Sequence, residues 1–246
     1  MWGSITFMAN SSTSNSKCKE VIKIANCGMG VNSIAGLLKY GVDSYDEIIF
    51  SDTGSEKPET YEYLKFLKET VKWPITVIDG RYQGKVLYDY YISRKSYPNA
   101  AFRDCTKKFK ITPMRKYLRT KYGKKAHFLV DLFIDYSEVF RMRDSDVQYQ
   151  TLNYPLINDK IDREGCLKII TDARWPIPEK SACFMCPFSK PEAWLKLKEK
   201  HPDLFEKAVV LENIRGPRRK KEYNLINLKE TLKDGNQSCL TGYCYT

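Results

Sequence analysis

Long apolar runs are missing from this sequence, and so are the features of a secretory signal. No apolar stretch approaches the ~20 residues that a transmembrane helix requires, so we expect no membrane partner. Residues 1–16 are rich in Ser and Asn and lack a basic region followed by a long apolar core. We therefore interpret residues 1–19 as a disordered leader and expect a cytoplasmic protein. Without a signal peptide, the 8 cysteines indicate metal binding rather than secreted disulfides.

Acidic residues are also fewer than basic ones. The chain has 41 Lys and Arg residues against 30 Asp and Glu residues, which gives a net charge of +11. Such an excess favours a polyanionic partner, either a nucleic acid or a nucleotide. The 17 tyrosines are compatible with base stacking, although we interpret most of them as packing residues.

The pattern of apolar residues indicates the fold class. The 246 residues suffice for one α/β domain with a small appended portion. Apolar, β-branched runs predict strands at 21–24, 47–51, 74–78 and 128–135. Helices are predicted at 33–40 and 58–71, and 154–157 is predicted as a short extended element. This alternation predicts a doubly wound, mostly parallel sheet over 20–158, with a C-terminal helical, cysteine-bearing portion over 159–246 packed on it as one continuous domain.

The first predicted strand runs into a glycine-bearing loop, Cys27–Ser33, and then into a helix. This arrangement aims backbone N–H groups and a helix N-terminus at one point, which suits a phosphate. Gly28 and Gly30 let the backbone approach an anion, and Asn32 adds a side-chain donor at the helix cap. No Gly-Lys-Ser/Thr follows, so this is not a Walker loop, and the third glycine of a dinucleotide fingerprint is missing. A tight turn without a ligand is the alternative.

A second strand ends in the segment Asp52-Thr53-Gly54-Ser55-Glu56-Lys57-Pro58-Glu59-Thr60. Together with the Cys27–Ser33 loop, it resembles the PP-loop ATP pyrophosphatase superfamily, and within it the phosphoadenosine-phosphosulfate (PAPS) reductase-like family. That family has Ser-Gly-Gly-x-Asp-Ser in the first loop and Asp-Thr-Gly-x-x-x-Pro-Glu-Thr in the second. Here the second motif is nearly intact, whereas the first is degenerate, with Asn32 at the position of the usual Asp. The resemblance covers most of the chain.

The resemblance implies that ATP and Mg²⁺ bind beyond the carboxyl ends of the strands. It extends to the family's Gly-Ile-Asp-x-x-Glu-x-x-Arg stretch, in which Phe133 replaces the glycine here. The cofactor-binding residues that it implies are Cys27, Gly28, Gly30, Asn32, Ser33, Asp52, Thr53, Gly54, Glu56, Asp135, Glu138 and Arg141. Glu138 and Arg141 are three residues apart, so a structural ion pair on one helix face is an equal alternative for them.

The segment Arg103–Pro113 resembles the family's Cys-to-Lys-x-x-Pro element, which opens a helix beside the active site. By this resemblance, Arg103 and Lys110 are candidates for contacts with an anion. The catalytic residues that we expect are Lys110, Asp52 and Arg103. A solvated basic helix face is the better interpretation of Lys107 and Lys108.

Cys183-Phe184-Met185-Cys186 is a Cys-x-x-Cys pair, which can bind a metal centre from a single turn but supplies only half of a four-thiolate site. The candidate partners are Cys105, Cys166, Cys239 and Cys244. Iron–sulfur members of the superfamily pair a cysteine at the Cys105 position with a later Cys-x-x-Cys, and Cys166 is our choice for the fourth ligand. The chain has only 2 His, neither beside a cysteine pair, so ligand type does not separate a [4Fe-4S] cluster from Zn²⁺. The resemblance favours the cluster, and a redox dithiol is the third alternative.

The densest basic run, Arg215–Lys221, contains helix-breaking Gly and Pro, so we predict an exposed loop there. We interpret it as a candidate contact for a nucleic-acid backbone, with a solubilising loop as the alternative. Replacing Arg218 and Arg219 with Ala should then flatten the salt dependence of binding.

Three functions remain open from the sequence. The leading hypothesis is an enzyme that cleaves ATP to AMP and pyrophosphate and adenylates a nucleic acid, tRNA or DNA, for sulfur transfer from a donor protein. The second is a sulfonucleotide reductase acting on PAPS or adenylyl sulfate. Against it, the family's reductases end in a Glu-Cys-Gly-x-His signature, whereas this chain ends in residues 238–246 without one. The third is a non-catalytic nucleotide or nucleic-acid binding protein on a decayed scaffold, which Met29 and Asn32 in the first loop keep open.

Overall fold

The fold is built on one parallel β-sheet. A computed structural model describes residues 21–99 and 103–215. The strands are Val21–Asn26 (β1), Glu47–Asp52 (β2), Ile75–Asp79 (β3), His127–Leu132 (β4) and Gln150–Asn153 (β5). They pair in the order β3-β2-β1-β4-β5, and every pairing is parallel. This confirms the predicted α/β class with a doubly wound parallel sheet.

The strand order fixes where a ligand is expected. From central β1 the chain moves outward to β2 and β3 on one side, and later to β4 and β5 on the other. The connections therefore diverge between β1 and β4, whose registers place Ile24 beside Val130 and Asn26 beside Leu132. In open α/β sheets such a switch point opens a crevice at the carboxyl ends of the strands.

Helices cover both faces of the sheet. They are Val31–Tyr40 (α1), Pro58–Lys65 (α2), Leu87–Ser93 (α3), Asp104–Thr106 (α4), Thr112–Tyr122 (α5), Pro155–Asn158 (α6), Arg163–Asp172 (α7), Pro191–Lys200 (α8) and Pro202–Arg215 (α9). A π-helical turn, Phe66–Thr70, continues α2, and a second one, Lys107–Ile111, joins α4 to α5. None of the helices in the described part of the chain is both long and apolar enough to cross a membrane.

Three apolar clusters stabilise this arrangement. On one face, the sheet packs against α1, α2 and α7, with Ile34 and Ile170 fully buried. On the other face, it packs against α5 through Met114 and Leu118. The third cluster joins α3, the second π-turn, the Cys-x-x-Cys segment, α8 and α9 around Phe109. Of the predicted C-terminal portion, α7, α8 and α9 are helical and residues 173–190 are not, and α8 and α9 share a core with residues 87–109.

One glycine in α1 permits close packing at the end of β4. A Cβ atom on Gly36 would lie 2.1 Å from the ring of Phe133, which is itself buried. Phe133 stands where the resembled motif has glycine, and the small residue of this contact is Gly36 on the helix. The substitution noted in the sequence is thus accommodated by a glycine about a hundred residues earlier in the chain.

The local predictions were wrong at several places beyond β4. Residues 154–157 were predicted as extended, but Pro155 begins the short helix α6, because proline is well suited to the first helical position. Gln150–Asn153 forms the edge strand β5, which its polar sequence did not indicate. Helix α7 was not predicted, and the segment Tyr136–Arg141, which carries Glu138 and Arg141, is a 3-10 turn. The predicted leader 1–19 and the basic run beyond Arg215 lie outside the described residues.

Candidate functional site

A large cleft lies at the switch point of the sheet. Its volume is about 730 Å³, and it opens at the carboxyl ends of β1 and β4. One wall is the Cys27–Ser33 loop with the start of α1, and the other includes the second π-turn and the start of α5. The segment 138–146 and residues 180–181 complete the rim. The predicted residues that line the cleft are Gly28, Gly30, Asn32, Ser33, Arg103, Glu138 and Arg141.

The cleft is strongly cationic. Seven basic side chains line it, against three acidic ones. The basic residues are Arg103, Lys107, Arg115, Arg141, Arg143, Arg163 and Lys180; the acidic residues are Glu138, Asp144 and Asp146. Arg115 is paired with Asp146 and Arg141 with Glu138. Within residues 21–99 and 103–215, the other five cations have no ion-pair partner, so the cleft carries unneutralised positive charge.

Like charges crowd around Arg103. Its backbone adopts a left-handed conformation, with φ of 45°, immediately before α4. Burial, together with the guanidinium groups of Arg141 and Arg143, lowers its pKa. Its guanidinium group lies over the ring of Phe188, 5.7 Å from the ring centroid. A bound anion would relieve this repulsion, which is the electrostatic arrangement expected of an anion site.

The loop itself supplies backbone donors. The first N–H groups of α1, beginning at Val31, have no partner within the helix. A Cβ atom on Gly28 would meet nothing within 4 Å, so the loop faces open space there. Ser33 is less available, because its hydroxyl donates to the Gly30 carbonyl at 2.9 Å and accepts from the Gly30 N–H at 3.2 Å. The helix dipole and these N–H groups add to the cationic side chains.

Asn32 has a defined structural role. Its amide donates to Asp135 Oδ2 at 2.8 Å, and its carbonyl oxygen accepts from Arg163 Nη1 at 2.8 Å. A side chain with one donor and one acceptor fits between a carboxylate and a guanidinium, whereas the family's Asp has no donor for Asp135. The degenerate residue is therefore matched to its neighbours and links α1 to α7.

Asp135 organises the residues that follow β4. It is 3% exposed and accepts hydrogen bonds from the Ser137 N–H and side chain as well as from Asn32. Its side chain does not line the cleft; it holds the 3-10 turn that carries Glu138 and Arg141. Those two residues form the ion pair considered from the sequence, and both also line the cleft. The Arg141 Nε atom is buried and has no hydrogen-bond partner among the described residues.

The second loop is closed by its own hydrogen bonds. The Asp52 carboxylate accepts from the Gly54 N–H at 2.8 Å and from the Tyr61 hydroxyl at 2.8 Å, and the Thr53 hydroxyl donates to Glu56 at 3.1 Å. Gly54 has a φ of 65°, and a Cβ there would lie 2.4 Å from Val86. Asp52, Thr53, Gly54 and Glu56, which we predicted to bind the cofactor, do not line the large cleft. Asp52 and Gly54 instead border a smaller depression of about 360 Å³ beside Arg81.

Lys110, our principal catalytic candidate, belongs to this closed region. Its Nζ forms an ion pair with Glu56 Oε1 at 3.0 Å, and Glu56 keeps only 1% of its side chain exposed. The backbones of Glu56 and Cys183 also form an isolated antiparallel β-bridge, and the Phe184 N–H donates to the Ser55 carbonyl at 3.0 Å. Of the three predicted catalytic residues, only Arg103 lines the cleft, while Lys110 and Asp52 stabilise the second loop.

The cysteines separate into two groups. Cys105 and Cys183 pack against the third apolar cluster with Cys186 nearby, whereas Cys27 and Cys166 are fully buried in the cluster around α1. Burial raises the pKa of Cys27 to about 11 and that of Cys166 to about 12. The hydrogen bond between the thiols of Cys183 and Cys186 raises the pKa of Cys183 and lowers that of Cys186. Cys166 was therefore wrongly grouped with Cys105, Cys183 and Cys186, because α7 places it in the apolar cluster around α1.

A metal centre is not assembled in the described residues. Across 21–99 and 103–215, no three His, Cys, Asp or Glu side chains are grouped so that they could hold a metal ion. The predicted set Cys105, Cys166, Cys183 and Cys186 is therefore not brought together as one ligand group in this part of the chain. Cys239 and Cys244, the other candidate ligands, lie outside the described residues.

Several cleft residues were not identified from the sequence. They are Arg115, Arg143, Arg163 and Lys180, with Lys107, which we had interpreted as part of a solvated face. Lys108 does fit a peripheral role, since it pairs with Asp104 at 2.8 Å and donates to the Tyr90 hydroxyl at 2.9 Å. The basic residues that line the cleft come from separate elements, so no local motif indicates their convergence. The one usable signal was the overall charge of +11.

Similar proteins are found both by sequence and by structure. No protein-family model matches it. It is 24% identical over 200 residues to the uncharacterized protein MJ0973 of Methanocaldococcus jannaschii, a match that covers 72% of this chain and 44% of that protein, so the chain spans less than half the length of this relative. Among solved structures, it is similar to the phosphate complex of phosphoadenylyl-sulfate (PAPS) reductase from Candida auris, with a TM-score of 0.45 and 12% identity, covering 68% of this chain and 78% of that one. These similarities leave the activity to be argued from the cleft.

Proposed function

We propose that this protein binds ATP in the large cleft, cleaves it to AMP and pyrophosphate, and transfers the adenylyl group to a nucleic-acid acceptor for sulfur transfer. The observation that carries the proposal is the cleft at the switch point, where the N-terminus of α1 and seven cationic side chains converge. Phosphate groups are the ligands that such a combination favours. The net charge of +11 supports a polyanionic acceptor.

The proposed reaction is an in-line displacement. An acceptor oxygen forms a bond to the α-phosphorus while the bond from that phosphorus to the bridging oxygen of pyrophosphate breaks. Pyrophosphate leaves, and the acceptor becomes adenylated. A sulfur nucleophile supplied by a donor protein then displaces AMP. The chain's own part is to hold the triphosphate and to offset the charge that develops on the leaving group.

Individual residues have distinct parts in this scheme. Backbone N–H groups at the start of α1 bind phosphate oxygens, and Arg103 and Arg143 neutralise the departing pyrophosphate. Asn32 and Asp135 are positioning residues, since they hold Arg163 and the 3-10 turn in place. We propose that Mg²⁺ enters as its complex with ATP, since Mg²⁺ keeps several waters and is usually bound through one or two carboxylates and the substrate phosphates. No step depends on an iron–sulfur cluster or on zinc.

The deciding measurements are thermal melts and a pyrophosphate assay. Melts of the full chain with ATP–Mg²⁺, AMP, PAPS and adenylyl sulfate compare the ligands directly, and a ligand at ~100 times its dissociation constant adds ~2.7 kcal/mol to stability. We expect stabilisation by ATP–Mg²⁺, and release of pyrophosphate in the presence of oligonucleotides.

The other outcomes separate the competing functions. A preference for PAPS or adenylyl sulfate would instead identify a sulfonucleotide reductase. ATP binding without pyrophosphate release would identify a non-catalytic nucleotide-binding protein. No shift with any of the four nucleotides would remove the proposal.

A further inference from the structure

The segment that carries Glu138 and Arg141 into the cleft also holds an unusual concentration of exposed apolar side chains, none of which lines the cleft itself. In the described residues, nine large hydrophobic side chains are exposed, and four of them fall within the seven residues 136–142. They are Tyr136 (45% exposed), Val139 (47%), Phe140 (64%) and Met142 (43%). We call this segment the apolar rim. The other five are scattered over the rest of the described chain, where single exposed apolar residues are ordinary.

The apolar rim is firmly held although its side chains are exposed. At its start, the Tyr136 N–H donates to the Ile161 carbonyl at 2.7 Å, and Asp135 accepts from the Ser137 N–H at 3.0 Å. Just beyond its end, the Tyr154 hydroxyl accepts from the Arg143 N–H at 3.1 Å and donates to the Arg143 carbonyl at 2.8 Å. Tyr154 is 4% exposed, so this tether is buried. A fixed backbone that presents apolar side chains to water indicates a preformed contact surface.

The positive charge near the apolar rim comes from the rest of the cleft, because within residues 136–144 Glu138 pairs with Arg141 and Asp144 follows Arg143. Arg141 and Arg143 alternate with the rim residues, and Arg103 and Lys107 line the facing parts of the same cleft. Glu138 is neutralised by its ion pair with Arg141, which leaves Asp144 as the acidic side chain within residues 136–144 without an ion pair to any described residue. Aromatic faces interleaved with arginine match the chemistry of unpaired nucleotides, whose bases stack while their phosphates pair with cations.

We propose that the apolar rim binds an unpaired stretch of a nucleic-acid strand, with bases stacked on Tyr136 and Phe140 and the backbone phosphates beside Arg143. This deepens the proposed function and rests on it, because the strand would be the acceptor that meets ATP in the cleft. A single strand fits better than a duplex, since the bases of a duplex are already stacked on one another. RNA and DNA share this chemistry, so the two sources are separated by the test below.

Binding is measured by fluorescence anisotropy on the full chain. The probes are fluorescein-labelled 12-nucleotide RNA and DNA single strands of mixed sequence, and a hairpin duplex of the same composition, each titrated over a series of KCl concentrations. We expect the single strands to bind more tightly than the hairpin. Tighter binding of either the RNA or the DNA strand identifies the source of the acceptor.

Variants at the rim test stacking directly. Phe140→Ala should weaken single-strand binding about tenfold, since loss of one stacked base costs ~1–3 kcal/mol, and should leave the salt dependence unchanged. Phe140→Tyr should restore binding, because tyrosine also stacks. Ile177→Ala, which removes an apolar side chain of similar exposure (51%) from outside the rim, is the matched control and should bind like the wild type.

Three results would overturn the inference. Equal affinities for Phe140→Ala and the wild type would remove stacking, and equal affinities for hairpin and single strand would remove the preference for unpaired bases. No oligonucleotide binding by the wild type, with full retention of an ATP-induced thermal shift, would leave the rim as a surface for a protein partner. Conversely, tight oligonucleotide binding with no ATP shift would contradict the proposed function and retain the inference.

Discussion

The two glycine-bearing loops of this protein differ in whether they border the cleft, and the loop with the weaker sequence motif is the one that does. The Asp52–Thr60 loop matches the motif that it resembles almost throughout, yet it is closed by hydrogen bonds among its own residues and by the Glu56–Lys110 ion pair. The Cys27–Ser33 loop matches poorly, yet it borders the large cationic cleft. A well-preserved motif can therefore report a structural requirement, here the packing of the loop against the Cys-x-x-Cys segment. Whether a loop is free to bind a ligand depends on its hydrogen bonds and neighbours in the folded protein, which the motif alone does not reveal.

The sharpest test of this comparison removes cations beside the open loop. We expect the Arg103→Gln, Arg143→Gln double variant to bind ATP ~10²- to 10⁴-fold more weakly, since each hydrogen bond to a charged group contributes ~1.5–3 kcal/mol. The melting temperature without ligand should not fall, because neighbouring guanidinium groups lower the pKa of Arg103 and their removal relieves repulsion. Isothermal titration with ATP–Mg²⁺ measures the affinity.

Two single substitutions serve as comparators for that variant. Lys168→Gln on α7 removes an exposed cation that is paired with Asp172, and should change nothing. Arg81→Gln removes the cation beside the depression of the closed loop, and should likewise leave ATP affinity unchanged. If Arg81→Gln weakens ATP binding and the double variant does not, the comparison is reversed and the closed loop is the nucleotide site.

The fold was more predictable from sequence than the site for a physical reason. Strands such as Glu47–Asp52 are buried over nearly their whole length, so their apolar runs signal them directly, and alternation with helices implies parallel pairing. The edge strand β5 is short and polar and gives no such signal. Pro155 and its neighbours are apolar but form a helical turn, which shows that a four-residue apolar run does not separate strand from helix.

The site was only partly predictable because its charge comes from many elements. Arg143 follows the 3-10 turn, Arg163 begins α7, Lys107 lies in a π-turn and Lys180 precedes the Cys-x-x-Cys segment. Nothing local distinguishes these residues from other basic residues of the chain. The misassigned Cys166 illustrates the same limit, since sequence spacing allowed it to join Cys183 but α7 packs it against α1.

Substitutions in the closed loop should lower the stability of the protein rather than its affinity for ATP. Glu56→Ala leaves Lys110 and the Thr53 hydroxyl without their acceptor, and we expect a loss of about 2–3 kcal/mol. The figure lies below that for a fully buried pair, because 42% of the Lys110 side chain is exposed to solvent. Urea unfolding measures the loss, and Glu56→Gln should show a smaller one. A large fall in ATP affinity at unchanged stability would place Glu56 in the nucleotide site instead.

The helix that follows the open loop offers a packing test of the same distinction. In Gly36→Ala, the new methyl group would overlap the ring of Phe133, which lies 2.1 Å from the Cβ position. We expect a net loss of up to about 2 kcal/mol, because overpacking costs ~1–3 kcal/mol and the helix propensity gain of ~1 kcal/mol offsets part of it. Adding Phe133→Leu should recover part of the loss, and a double-mutant cycle measures this coupling. Additive losses would show that the two residues do not compete for the same space.

The smallest expected effect tests whether the neighbours of Asn32 in the open loop require an asparagine at this position. Asn32→Asp restores the family residue, but it places a carboxylate where the amide now donates to Asp135 at 2.8 Å. Attraction to Arg163, whose Nη1 lies 2.8 Å from the present carbonyl oxygen, offsets part of this repulsion, so we expect a net loss of about 1 kcal/mol at pH 7. The loss should shrink as the pH falls, because the facing carboxylate raises the pKa of the introduced carboxyl group and its protonation removes the repulsion. The loss should grow to about 2 kcal/mol when Arg163→Gln removes the compensating cation. Asn32→Ala is the matched control, because it removes both hydrogen bonds without adding charge and should lack the pH dependence. Urea unfolding at pH 7 and pH 4 distinguishes the cases: a stabilising Asn32→Asp would mean that the loop has merely drifted from its family pattern, whereas a pH-dependent loss would mean that asparagine is the residue that this network requires.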